Sequence, residues 1–308
     1  MSTRRSVLYG GFSLSVVGIA GCLDEIGSGI DEEDYDEAID LLETNSEQLD
    51  EYSQADDLPE TFDGAEIESR ADEAEQLLED LDPDSEENEE LVENGFAIAT
   101  YQRQMVELYD VWIDFEICID DAVALMDAER FGDAQEELDS CRSYVTNLET
   151  ELEEVEDAHH DIDSELLEAE GQIDHELIED DIDEFETLLE IVDDLLDSFD
   201  EIIVGVEYFL DGADYIEQDR FGTAEVRFQD AADAFDEADW VLGGIEESED
   251  LPREMRADMI ELRCIADNMN DVAEDFASAS GAMNRGDYFA AEDAMDDAER
   301  SMDALDRC

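Results

Sequence analysis

The side chains with distinctive chemistry are few in this sequence: three histidines and five cysteines, set among 98 carboxylates. Glu156-x-x-His159 has the spacing of half a di-iron carboxylate site, which needs a second such motif and two more glutamates on facing helices. The second motif is missing, because Gln172 stands at that spacing before His175. With nearly one residue in three acidic, a coincidental Glu-x-x-His is expected. His159, His160 and His175 therefore read as solvated or helix-end histidines. Paired carboxylates occur everywhere, so none stands out as the acid and base of a glycosidase. Runs such as Asp180-Asp181-Ile182-Asp183 attract cations loosely, without the Asp-x-Asp-x-Asp-Gly loop and terminal Glu of a calcium site. There is no glycine-rich phosphate loop, no Gly-x-Ser-x-Gly elbow and no Cys-x-x-Cys. The expectation is a non-catalytic chain, with no catalytic residue, cofactor or metal ligand assigned.

The cysteines are more informative. Thr3-Arg4-Arg5-Ser6-Val7-Leu8 resembles a twin-arginine export signal, with Arg4 and Arg5 as its pair. An uncharged apolar stretch, Val7 to Ala20, follows and ends in Ile19-Ala20-Gly21-Cys22, which resembles a lipobox. The resemblance implies a signal peptide over 1–21, lipid on the sulfur of Cys22, and a short tether over 22–31 containing Gly27 and Gly29. Four cysteines remain. The midpoint of Cys118 and Cys141 falls between Glu129 and Arg130, and that of Cys264 and Cys308 falls on Gly286. Both midpoints coincide with breaks in the helical pattern, so the pairs 118–141 and 264–308 are placed to staple two hairpins. Four cysteines permit three connectivities, and this is the one the symmetry favours. An oxidising exterior suits it.

The elements that must position these residues are helices. Apolar residues recur in alternating threes and fours: Tyr101, Met105, Leu108, Trp112, Phe115, Ile119, Ala122, Met126 is one run. Ala134 to Val155, Phe221 to Ile245, Leu262 to Met283 and Tyr288 to Leu305 follow the same rule. In the run Ile182, Phe185, Leu189, Val192, Leu196, Phe199, Ile203, Val206, Leu210, Ala213, a third stripe of Leu188, Leu195, Ile202, Phe209 and Ile216 widens the face. Such a face suits a helix buried in a bundle more than a two-stranded coiled coil.

The runs predict helices over 32–54, 65–82, 86–128, 132–169, 172–218, 221–247, 252–284 and 287–306. Pro59, Pro83 and Pro252 fall in connections or at helix starts. The breaks Arg130-Phe131-Gly132, Arg220-Phe221-Gly222 and Arg285-Gly286-Asp287-Tyr288 each place an aromatic three residues before an Ala: Phe131/Ala134, Phe221/Ala224 and Tyr288/Ala291. Tyr35/Ala38 repeats the pattern. The expected roles are an aromatic plug at the bundle end and a small residue for close helix approach. The expected architecture is all-α, an elongated bundle of long antiparallel hairpins at about 86–169, 172–247 and 252–306, forming one domain over 32–308. The longest helix would span about 60–70 Å at 1.5 Å per residue.

Phe221-x-x-Ala224-x-x-x-Phe228-x-x-Ala231 resembles the turn and second helix of a tetratricopeptide repeat over about a dozen residues. The arms before the turns are much longer than a tetratricopeptide helix, the breaks are unevenly spaced and the Trp-Leu-Gly-Tyr pattern is absent.

The charge sets the environment. The net charge is −84, and all 14 basic residues are arginine. A compact chain of this charge repels itself in dilute buffer. At about 1 M salt the screening length falls to about 3 Å, so brine is the simplest setting. The same charge excludes nucleic acid as a partner. Leader and composition together resemble twin-arginine-exported, lipid-anchored acidic lipoproteins of halophilic archaea. That resemblance implies the outer face of the cell membrane, reached through the lipid on Cys22, and a structural or protein-interaction role beside another envelope component. The alternative is an accessory lipoprotein binding a small ligand or cation.

Overall fold

The computed structural model describes residues 32–53, 62–83, 85–128, 130–163, 175–248, 253–305 and 307–308. Arg4, Arg5, Cys22, the signal peptide, the tether, Pro59 and Pro252 lie outside the described residues, as do the side chains of His175, Asp180, Asp181 and Asp183.

The described residues form helices and no strand. In chain order they are α1 (Glu32–Ser53), α2 (Gly64–Glu79), α3 (Glu86–Asp127), α4 (Phe131–His160), α5 (His175–Glu217), α6 (Phe221–Glu247), α7 (Arg253–Arg285) and α8 (Tyr288–Leu305). The all-α bundle expected from the periodicity is thus present. α4 stops well short of the expected residue 169. Its last turn ends at the two histidines, the amide of Ile162 bonds the carbonyl of His159, and Asn94 Oδ1 accepts from the amide of Asp163.

The chain divides into two compact units. One holds Ile117–Arg142 and Glu190–Cys308; the other holds the described residues up to Glu116 together with Ser143–Leu189.

In the first unit α5, α6 and α7 meet around Phe209, Phe228 and Phe276, whose ring centroids lie 5.1–5.3 Å apart. α5 and α6 come close because α5 carries glycine where α6 carries phenylalanine. A Cβ on Gly205 would stand 2.7 Å from the Phe235 ring, and one on Gly212 would stand 2.8 Å from the Phe228 ring. Here the heptad reading needs correction. Leu210 is 44% exposed and Ala213 is exposed, so the expected core stripe has left the core by the end of α5. An α-helix turns every 3.6 residues and drifts about 20° per heptad against a strict seven-residue repeat. Gly205 and Gly212, which the apolar stripes skip, are buried there.

The three breaks share one backbone device. The amides of Arg130, Arg220 and Asp287 reach back five residues to the carbonyls of Leu125, Tyr215 and Ala282, at 3.0, 2.9 and 3.0 Å. This is the closure of a helix that ends in a left-handed residue. Asp219 at φ 59° and Gly286 at φ 75° supply that conformation in the second and third turns. The next helix then starts with the amides of Ala134, Ala224 and Ala291 bonding the carbonyls of Arg130, Arg220 and Asp287. All three alanines are buried, as expected of close-approach positions. The aromatics differ. Phe131 and Phe221 are half-buried, but Tyr288 is 76% exposed and plugs nothing. Among the described residues α8 packs chiefly on α7.

The second unit is pinned by a buried polar network. Gln102 on α3 donates to the carbonyl of Leu42 at 2.8 Å and to Ser46 Oγ at 2.9 Å, and accepts from Asn45 Nδ2 at 3.0 Å. Asn45 also donates to the carbonyl of Ile67 on α2 and accepts from Arg70 Nε at 2.6 Å. Arg70 continues to Gln48, and Gln48 donates to the Tyr52 hydroxyl. These bonds join α1, α2 and α3 in one register, because a slip of one residue would leave several buried groups unbonded.

Candidate functional site

Four cysteines pair as the hairpin symmetry predicts. Cys118–Cys141 joins α3 to α4, and Cys264–Cys308 joins α7 to the segment after α8, each with Cα atoms 5.7 Å apart. Asn268 Nδ2 donates to the carbonyl of Cys264 at 2.7 Å and approaches both sulfurs of the second bridge, at 3.5 and 3.4 Å. The bridges are occupied as structure, which removes these sulfurs from nucleophile or metal-ligand roles.

The Glu156-x-x-His159 motif lies in the last turns of α4. His159 is 2% exposed and packs against Tyr101, with ring centroids 5.9 Å apart. His160 is exposed, and its Nδ1 lies 2.9 Å from the carbonyl of Glu156. Among the described residues neither histidine joins a group of three metal-capable side chains.

The group that does converge was missed by the sequence reading. Glu107 on α3 and Glu151 and Glu154 on α4 bring carboxylate oxygens within 4.8 Å of one another. Burial raises the pKa of Glu151 above the ordinary carboxylate range, and the charges of Glu107 and Glu154 and a hydrogen bond with Glu107 add to it. Glu151 Oε2 is shut off from solvent without a hydrogen-bond partner. Three such oxygens suit a hard divalent cation. A signal for the trio existed. The hairpin that pairs Cys118 with Cys141 sets residue 107 opposite 152, between the two glutamates of a Glu151-x-x-Glu154 spacing.

A cleft of about 440 Å³ lies between α6 and α7, with Ala232 and Ala277 among its lining and Glu225, Asp233, Glu274 and Arg285 as its charges. Gly281 admits Glu225 there: a Cβ would meet Glu225 Oε1 at 2.5 Å. Gln229 and Ser278 complete the described lining.

Buried polar side chains elsewhere serve the fold. Trp112 Nε1 donates to Glu116 Oε1 at 2.9 Å. Burial, then Tyr101 and Asp50, push the phenol of Tyr109 far above its ordinary pKa, so it stays neutral.

No protein-family profile, no curated protein and no solved structure matches this chain. Among the described residues no helix is long and apolar enough to cross a membrane.

Proposed function

We propose that the chain is a non-catalytic lipoprotein tethered by lipid on Cys22 to the outer face of the membrane of a salt-adapted cell, where it contacts another envelope component. The observation that carries this reading is the pair of hairpin-closing disulfides in a chain whose leader ends in Ile19-Ala20-Gly21-Cys22. Disulfides persist on the oxidising side of a membrane. The charge of −84, with arginine as the sole basic residue, supports brine as the setting. Mass spectrometry of the purified N-terminal peptide, with protease treatment of whole cells, tests the reading. Lipid on Cys22 and cleavage from outside are expected, and Cys22→Ser should release the chain to the medium. An uncleaved leader on a protease-protected chain overturns it.

The second reading is an accessory cation-binding lipoprotein, and the Glu107, Glu151 and Glu154 trio is the observation that favours it. Calorimetric titration with magnesium or calcium in molar sodium chloride discriminates. A stoichiometric site lost in Glu151→Gln would move the second reading ahead of the first.

A further inference from the structure

The two disulfides sit in opposite surroundings. Cys118 and Cys141 are both buried, at 4% and 0% exposure. Two acceptors stand beside that bridge: the carbonyl oxygen of Glu137 lies 3.5 Å from Cys118 Sγ, and Glu137 Oε1 lies 3.7 Å from it. Cys264 and Cys308 are only half-buried. A donor stands beside this second bridge: Asn268 Nδ2 lies 3.5 Å from Cys264 Sγ and 3.4 Å from Cys308 Sγ. Its 2.7 Å bond to the Cys264 carbonyl sets the orientation of the amide, because only the nitrogen end can donate there. The Ala304 carbonyl, 3.9 Å from Cys308 Sγ, is farther than either amide contact.

These differences bear on thiol–disulfide exchange. An attacking thiolate needs access to one sulfur, and the other sulfur must leave as a thiolate. A hydrogen-bond donor at the sulfurs stabilises that developing charge, whereas a neighbouring carboxylate opposes it. The first bridge is closed to attack and faces a carboxylate. The second is open and faces an amide N–H.

The second bridge also holds a lightly anchored element. It fastens the segment after α8 to α7. Of the 18 residues of α8, two are buried, Ala291 and Ala298. Its flank of Tyr288, Met295 and Met302 is exposed. A polar contact adds to the packing on α7, where Ser301 Oγ donates to Asp275 Oδ2 at 3.3 Å. A helix of this length is marginal in water on its own, and two buried alanines stabilise it little.

We propose that Cys264–Cys308 is a thiol-exchange site that latches α8. A dithiol opens it and frees α8 from α7, while Cys118–Cys141 stays closed. One thiolate of the dithiol attacks a sulfur of the bridge, forming a mixed disulfide and expelling the other cysteine as a thiolate. The second thiol then attacks the mixed disulfide and expels the remaining cysteine. The dithiol ends as a disulfide, and its two protons and two electrons end on Cys264 and Cys308.

Dithiothreitol tests this on the folded full chain carrying Cys22→Ser, in molar sodium chloride. Timed samples are alkylated and digested, and the cysteine peptides are weighed by mass spectrometry. Cys264 and Cys308 should be labelled at least about tenfold faster than Cys118 and Cys141. Amide hydrogen exchange over 288–305 should then rise while exchange over α6 holds. Cys264→Ser with Cys308→Ser should show the same rise without reductant. Asn268→Leu should slow the opening by about three- to tenfold. Loss of a merely structural contact would loosen the bridge and speed it instead. The proposal is overturned if the two bridges open at one rate, if Cys118–Cys141 opens first, or if neither opens in the folded chain. It is equally overturned if Asn268→Leu opens as fast as the wild type or faster, or if exchange over 288–305 is unchanged once the bridge is open.

Discussion

Gly205 offers a direct test of the α5–α6 packing. In a helix interior, Gly→Ala normally stabilises by about 1 kcal/mol through helix propensity. At Gly205 the new methyl would meet three atoms of the Phe235 ring at 2.7, 2.8 and 2.9 Å. Carbon atoms in favourable contact sit about 3.5–4.0 Å apart, so the overlap is more than half an ångström at each atom. The ring has nowhere to go. Phe235 is 1% exposed and packs with Ala231, Ala232 and Ala273, with Ile202, Val206 and Phe209 against them. Relief must come from separating α5 and α6 or from forcing the ring off its rotamer. Overpacking of this kind costs about 1–3 kcal/mol, and three simultaneous overlaps place it in the upper part of that range. After the helical gain, the net expectation for Gly205→Ala is about 1–2 kcal/mol of destabilisation, or about 2–3 °C in Tm for a chain of this size. Gly244 is the internal control: it lies in α6 with nothing within 4 Å of its would-be Cβ. Gly244→Ala should therefore raise Tm. Thermal melts by circular dichroism in molar salt decide the matter. If Gly205→Ala melts at or above the wild type, the close approach of α5 and α6 is wrong.

Further expectations concern other parts of the fold. Replacing Cys118 and Cys141 by serine removes a constraint spanning 23 residues and should cost about 3 kcal/mol; the bridge spanning 44 should cost about 4, measured as shifts in the denaturation midpoint at fixed salt. Gln102→Leu keeps the volume but strands Asn45 and Ser46, and should destabilise by about 2–4 kcal/mol in the same assay; a neutral result would mean the network does not set the register. Glu151 has its folded pKa raised, so the folded state takes up the proton first as pH falls. Stability from this group is therefore gained on acidification from neutral pH through the raised pKa, and lost again as pH rises. Glu151→Gln should raise Tm at neutral pH and flatten the pH dependence between mildly acidic and neutral pH; an unchanged slope would refute the assignment. Transfer from molar to millimolar salt should lower helicity, as 98 acids lose their screening while the disulfides limit the expansion. Full helicity with an unchanged melt at low salt would contradict that account.

The helices were legible because burial is periodic and the chain holds few prolines. Every residue of the Ala134–Val155 stripe is buried, and so is every member of Tyr101–Ala122. The disulfides were legible for a geometric reason: residues equidistant from a hairpin turn face each other, and two pairs shared that property with two independent breaks. What the period could not show was its own drift. A seven-residue repeat continued through α5 predicts Leu210 inside and gives no role to Gly205 and Gly212, yet those glycines seat Phe235 and Phe228. Glycine has no hydropathy signal, so a stripe made of absent side chains is visible only once the neighbouring helix is in place. The Gln102 network was hidden likewise, since a polar residue on an apolar face looks like a lapse in the pattern until its three bonds are drawn.

The carboxylate trio and the exposed turn illustrate opposite difficulties. Acids are so common that type and spacing alone do not separate Glu107, Glu151 and Glu154 from the solvated remainder; only convergence in space does. The turn at Tyr288 hid behind similarity instead. It repeats the backbone closure of the turns at Phe131 and Phe221, and that likeness led to the same plug role for all three aromatics. The departures within the repeat are Asp287 where arginine stood twice and Phe289 where glycine stood twice. A bundle needs the left-handed residue, the reaching amide and the buried alanine to turn a corner. It does not need two bare aromatic rings at the corner; Tyr288 and Phe289 stand exposed there, as Trp240 does on α6.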